Sequence, residues 1–166
     1  MRIAFDLDDT LIPGRIPFPV EPRPHNPLKR MFCSEELRLG TAALITDLRE
    51  CGHEVWLYTT SFRGIRPLKW MFWAYGAPVG GVVNVPVHRR RMEQLEGVRD
   101  GHREGAAGRR SLLRCSKYPP AFEIDLLVDN CEGIVIEAQQ YQFEVLQVQP
   151  DDPHWDRAVR NRVGIN

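Results

Sequence analysis

Short apolar runs recur along the chain at residues 3–5, 55–58, 82–87, 124–128 and 143–148, and stretches with helical periodicity lie between them. Strand-length runs alternating with helices predict an α/β domain built around a mostly parallel sheet. Ser34 is placed to cap the first helix, Glu35 and Glu36 suit the positive end of its dipole, and Gly52 ends it. Leu37, Thr41, Leu44, Leu48 and Cys51 then share one face. A second helix begins near Pro67 and aligns Leu68, Met71, Phe72 and Tyr75 before Gly76. Trp70 and Trp73 fall off that stripe, and aromatic residues at helical spacing are expected as buried packing rather than as a partner surface. A third helix over about 131–141 precedes the fifth strand, and Trp155, Ala158 and Val159 mark a short final helix.

Two segments break the pattern and read as loop insertions, at about 12–33 and 88–116. The first holds Pro13, Pro17, Pro19, Pro22, Pro24 and Pro27, too many for a helix or a central strand. The second is rich in arginine and punctuated by Gly97, Gly101, Gly105 and Gly108, and is expected to be a long functional or mobile loop.

Composition narrows the class. With 166 residues, 43% of them hydrophobic and 27% charged, the chain suits one globular domain and neither a disordered nor a fibrous protein. Its 22 basic residues balance 22 acidic ones, so a uniform positive field for nucleic acid is excluded and any charge preference is local. Nucleic acid is therefore compatible as a partner but not indicated. Cys33, Cys51, Cys115 and Cys131 lack CxxC spacing, and His25, His53, His88, His102 and His154 do not cluster beside them, which argues against a zinc site or a disulfide framework. There is no signal-peptide pattern and no apolar run of membrane-span length. The expectation is a reduced, cytoplasmic protein with no membrane partner, and a homo-oligomer is left open.

The chemistry gathers where strands run out. Asp6, Asp8 and Asp9 follow the first strand, and carboxylates so placed repel one another unless a cation sits among them. Magnesium is the expected cation, because it favours carboxylate oxygens and couples to phosphate; the segment lacks the glycine and distal glutamate of an EF-hand loop. Thr59, Thr60 and Ser61 end the second strand with hydroxyls able to donate to a phosphoryl oxygen. Lys117 precedes the fourth strand, and that strand ends in Asp129 and Asn130. In an open α/β sheet these groups converge beyond the carboxyl ends of the strands, where ligands bind. A receiver-domain reading needs a phosphoacceptor aspartate ending the middle strand, and residues 82–87 offer none.

This ordered set resembles the haloacid dehalogenase (HAD) superfamily of phosphohydrolases: Asp6, Asp8, Thr10 and Leu11 match its DxDxT motif, Thr59 its second motif, Lys117 its third, and Asp129 with Asn130 its fourth. The resemblance implies a three-layer, Rossmann-like sheet with strand order 5-4-1-2-3 and, given the short connections, no full cap domain. It implies a magnesium-dependent phosphatase that hydrolyses a phosphate monoester through an aspartyl-phosphate on Asp6, with Asp8 as general acid and base. Thr10, Thr59, Thr60 and Lys117 would hold the phosphate, and Asp6, Asp8 through its backbone carbonyl, Asp129 and Asn130 the metal. Asn130 stands where many members carry a second aspartate, which retains an acceptor oxygen but removes a charge. The substrate class is a phosphorylated small molecule or a macromolecular phosphate ester. The competing expectation is a catalytically weak or inactive binding protein on the same scaffold.

Overall fold

A computed structural model describes residues 1–101 and 111–165. Five strands, β1 (Arg2–Phe5), β2 (Glu54–Tyr58), β3 (Gly81–Val83), β4 (Leu126–Asp129) and β5 (Val145–Gln147), form one all-parallel sheet in the order β3-β2-β1-β4-β5. Between them lie α1 (Pro27–Arg30), α2 (Thr41–Glu50), α3 (Ile65–Ala74), α4 (Val85–Gly101) and α5 (Glu132–Tyr141), and α6 (Trp155–Val163) follows β5. The expected α/β class and strand order are those observed.

Alternation along the strands assigns the layers. Ile3 and Phe5 of β1, Val55 and Leu57 of β2, and Leu126 and Val128 of β4 pack with Leu44, Leu48, Leu68, Met71, Trp155 and Val159, so α2, α3 and α6 cover one face. Ala4, Tyr58, Val83 and Leu127 point the other way and pack with Val87 of α4 and Ile134 of α5. A sheet buried on both faces needs apolar residues at every strand position, which is why its strands read as unbroken apolar runs. Gly81 of β3 lies under the Trp56 indole, where a Cβ would come within 2.4 Å of the ring; glycine is required there by the close approach.

Several expectations need correction. The first long helix starts at Thr41, capped by Gly40 at φ +90°, and not at Ser34. Residues ahead of it are committed to other pairings: Glu21 N–H donates to Leu37 O, Arg38 N–H to Leu11 O and Leu39 N–H to Pro19 O. Leu37 is buried all the same, while Cys51 is exposed. β3 ends at Val83, because Asn84 turns the chain and its Oδ1 accepts the Val87 N–H. Residues 88–101 of the expected second loop belong instead to α4, whose Arg, Glu, Gln and Met residues are good helix formers; residues 102–110 lie outside the described residues. Trp70 and Trp73 are exposed rather than packed into the core. The proline-rich segment is irregular as expected, with α1 as a single turn capped by the Asn26 side chain.

One buried cation knits the far ends of the chain together. Arg38 is 3% exposed and sits between the Phe18 and Trp155 rings, 4.8 Å from each centroid. Its guanidinium donates to the carbonyls of Thr10 (3.3 Å), Gln149 (2.9 Å), Pro150 (2.8 Å) and Asp152 (2.7 Å). Among the described residues no helix is long and apolar enough to cross a membrane.

Candidate active site

β1 and β4 are neighbours, so the residues that leave their carboxyl ends meet. The Asp6 N–H donates to Val128 O (2.9 Å), which extends the pairing by one residue and fixes the Asp6 backbone against β4. Asp6 and Asp129 are both buried, and the equally buried Lys117 Nζ lies between them, 2.5 Å from Asp6 Oδ1 and 2.6 Å from Asp129 Oδ2. The second oxygen of Asp129 accepts the Cys131 N–H (2.9 Å), which holds that carboxylate at the start of α5.

One ammonium facing two carboxylates leaves a buried net charge of −1. Burial, together with the neighbouring Asp129 charge, outweighs the attraction of Lys117 and pushes Asp6 from 3.8 up to about 6. Burial works against the Lys117 ammonium too, but its two acidic partners hold it above its ordinary value.

Thr10 is fully buried in the turn after β1, where its hydroxyl donates to Asn130 Oδ1 (3.0 Å), accepts the Asn130 N–H (3.2 Å) and lies 3.4 Å from Asp6 Oδ2. Its role in this structure is to fasten the first acidic turn to the fourth strand's end, not to face outward as a phosphate donor. Asp9 adopts φ +58° and its Oδ1 accepts the Arg15 N–H (2.7 Å), so it shapes the turn rather than joining the carboxylate cluster. A side chain at Gly14 would run into that same oxygen, at 2.6 Å.

Thr59 is buried at the end of β2, held by a backbone bond from its N–H to Val83 O (2.9 Å), and its hydroxyl pairs with Ser61 (3.1 Å). Thr60 is exposed beside it.

Asp8, half exposed, is taken by a residue that the motif reading missed. Arg63, in the connection from β2 to α3, grips it with two parallel bonds of 2.9 and 2.7 Å and grips Glu35 with two more of 2.8 Å. The bonds to Glu35 and then Asp8 raise the Arg63 guanidinium further above its already high value. Asn84 Nδ2 donates to Arg63 O (2.9 Å) and so fixes the arginine's backbone.

A second missed set positions Lys117. Tyr58 OH accepts the Tyr118 N–H (2.8 Å), so its own proton goes to His88 Nδ1 (2.6 Å), and His88 Nε2–H donates to Cys115 O (2.9 Å). Burial lowers the His88 imidazole and raises the Tyr58 phenol, which keeps both neutral in this chain of bonds. Glu137 of α5 accepts the N–H groups of Ser116 and Lys117. The loop bearing Lys117 is thereby tied to β2, α4 and α5.

No family model matches this sequence, and no curated protein matches it. Two solved structures of the Pnkp1/Rnl/Hen1 RNA repair complex each contain a chain of similar fold, at 15% identity and TM-scores of 0.48 and 0.46. The matches cover 88% of this chain but 41% and 45% of those chains, so this chain spans less than half of their length. The likeness is one of fold.

Among the described residues no group of three or more His, Cys, Asp and Glu side chains forms a metal site. The oxygen groups brought together at the strand ends are the Asp6 and Asp129 carboxylates, which Lys117 joins, and the Asn130 amide, which Thr10 links to Asp6. Magnesium is held in this way, by one or two carboxylates with water and substrate phosphate completing its shell. A buried cluster of net charge −1 accepts a cation, so the residues present fit the ion.

Proposed function

We propose that this chain is a magnesium-dependent phosphatase of the HAD type, acting on a phosphate monoester through Asp6. The observation that supports it most is the buried Lys117 ammonium bridging Asp6 and Asp129 at the carboxyl ends of adjacent parallel strands. A salt bridge serving only stability gains little from this burial. A nucleophilic carboxylate, by contrast, must be held ionised and immobile.

In this reading Asp6 Oδ attacks the phosphorus, and the bond from phosphorus to the ester oxygen breaks. Lys117 keeps Asp6 ionised and, with Thr59, holds the phosphoryl oxygens. Asp8, once it has left Arg63 and taken a proton from solvent, gives that proton to the leaving oxygen, then takes one from the water that attacks the aspartyl-phosphate. Asp8 must release Arg63 to turn inward, and the freed guanidinium is then available to the substrate's negative charge. Bound through Asp6, Asp129, Asn130 and the Asp8 carbonyl, magnesium would neutralise charge that builds on the phosphoryl group.

The test is turnover of aryl and alkyl phosphates by the purified protein with magnesium, compared with the Asp8→Asn variant. A general acid matters most when the leaving group is poor. Asp8→Asn should lower kcat/KM about 10²–10⁴-fold on an alkyl phosphate and much less on a nitrophenyl ester. Equal losses on both substrates would remove the acid role from Asp8. Absence of turnover, together with no Asp6-dependent trapping of beryllium fluoride, would leave the binding-protein alternative.

A further inference from the structure

Phe32, just after α1, stacks on Trp70 of α3 with ring centroids 5.3 Å apart and planes inclined by 22°. Both meet Trp73 edge-on, at 6.3 and 5.6 Å, and Lys29 Nζ stands 5.0 Å over the Trp73 ring. Trp70 remains 50% exposed and Trp73 and Phe32 41% each, while Phe62 is 75% exposed. Aromatic surface gathered in this way marks a binding site more often than a bare surface.

Its direction ties it to the active site. Arg66, Trp70 and Trp73 follow at i, i+4 and i+7 and share one face of α3. Phe62, in the loop just before α3, adjoins Arg63, the residue that grips Asp8. The stripe therefore leads from the mouth of the Asp6 site along the helix. Lys29, Arg30 and Arg66 flank it without a carboxylate partner among the described residues; Glu35 is engaged by Arg63, and Glu36 is exposed.

Rings interleaved with unpaired cations match a strand that offers both bases and phosphates. A folded protein partner would be served by the rings alone and gives no reason for cations in line with a phosphate site. We propose that this stripe is a strand-binding platform and that the ester hydrolysed at Asp6 is the terminal phosphate of a single-stranded nucleic acid. This rests on the phosphatase reading above. The bond broken joins phosphorus to the terminal sugar oxygen, which leaves as a hydroxyl with the Asp8 proton. Water then releases inorganic phosphate from Asp6.

Titrating the full chain with short single-stranded RNA and DNA, unphosphorylated or phosphorylated at either end, should quench tryptophan fluorescence saturably. Trp70→Ala and Trp73→Ala should each weaken binding about 5-fold or more, and a paired Lys29→Glu, Arg66→Glu variant should flatten its salt dependence. None of these changes should move kcat/KM on an aryl phosphate more than about twofold, whereas KM for a phosphorylated oligonucleotide should rise. The binding arm needs no turnover. Oligonucleotide binding through Trp70 by a chain that hydrolyses nothing supports the platform and removes the Asp6 reading. Aryl phosphate turnover without oligonucleotide binding, or a phosphopeptide bound through these tryptophans in place of the oligonucleotide, overturns the platform.

Discussion

Asp6→Asn is expected to abolish turnover and to stabilise the protein. Asparagine is near-isosteric but cannot form the acyl phosphate, so kcat should fall by about 10⁴-fold or more. The gain in stability follows from charge, because the substitution leaves Lys117 and Asp129 as a balanced pair where the native site carries a surplus of −1. In the folded chain Asp6 is pushed from 3.8 up to about 6, so the folded state resists its ionisation. That displacement converts to about 3 kcal/mol as a ceiling. The contribution favours folding while Asp6 is protonated and is lost as pH rises through about 6. The mutant's advantage should therefore be greatest above pH 6 in chelator and should shrink toward pH 4. Denaturant melts at several pH values, with and without magnesium, measure it. A mutant less stable than wild type at neutral pH in chelator would show that the site is not strained by its charge.

Lys117→Met carries the opposite sign. Removing the ammonium leaves two buried carboxylates facing each other, and breaking a buried ion pair from one side costs about 3–5 kcal/mol. A loss of that size is a large fraction of a domain's stability. Magnesium should restore part of it, because the ion binds the folded site and not the unfolded chain. The decisive comparison is the magnesium-dependent rise in Tm, which should be larger for Lys117→Met than for wild type. Equal rises would place the ion elsewhere. Catalysis should not return with the metal, since methionine cannot hold a phosphoryl oxygen.

Asp6 was readable from the chain because its signal is local: it directly follows a buried strand. Lys117 was singled out through the resemblance, since a lone lysine in a loop has no local mark of its own. The mostly parallel sheet, like Asp6, was legible from local pattern: parallel strands buried on both faces are apolar throughout, and five such runs stood out. The strand order and the layers came with the resemblance, because apolar runs do not say which strand lies beside which. What stayed hidden depends on distant partners. Arg63 meets Asp8 across 55 positions of sequence, and nothing beside Arg63 announces the pair. A cation two residues after the hydroxyls that end β2 was the available hint. Ser34 and two glutamates had the composition of a helix start, but backbone pairing of residues 37–39 with the preceding loop took that segment away. α4 was read as a loop because its glycines and arginines hid a helix whose described side chains bury little beyond Met92 and part of Val87. The exposed tryptophans were misassigned because helical spacing alone cannot say whether another element covers a face.

Arg38 has a consequence for motion. Its guanidinium joins the carbonyl of Thr10, in the nucleophile's own turn, to three carbonyls in the connection between β5 and α6, and Trp155 at the start of α6 closes over it. These bonds are made to neutral dipoles, and the acidic groups that favour the cation, Asp152, Asp151 and Asp156, lie in that same connection and in α6, so they leave with it. Unfastening α6 would leave a charge stranded in an apolar layer and slacken the turn behind Asp6 in the same event. Local opening at the last helix and loss of order at the catalytic turn thus form one cooperative unit, even though the two segments lie at opposite ends of the sequence.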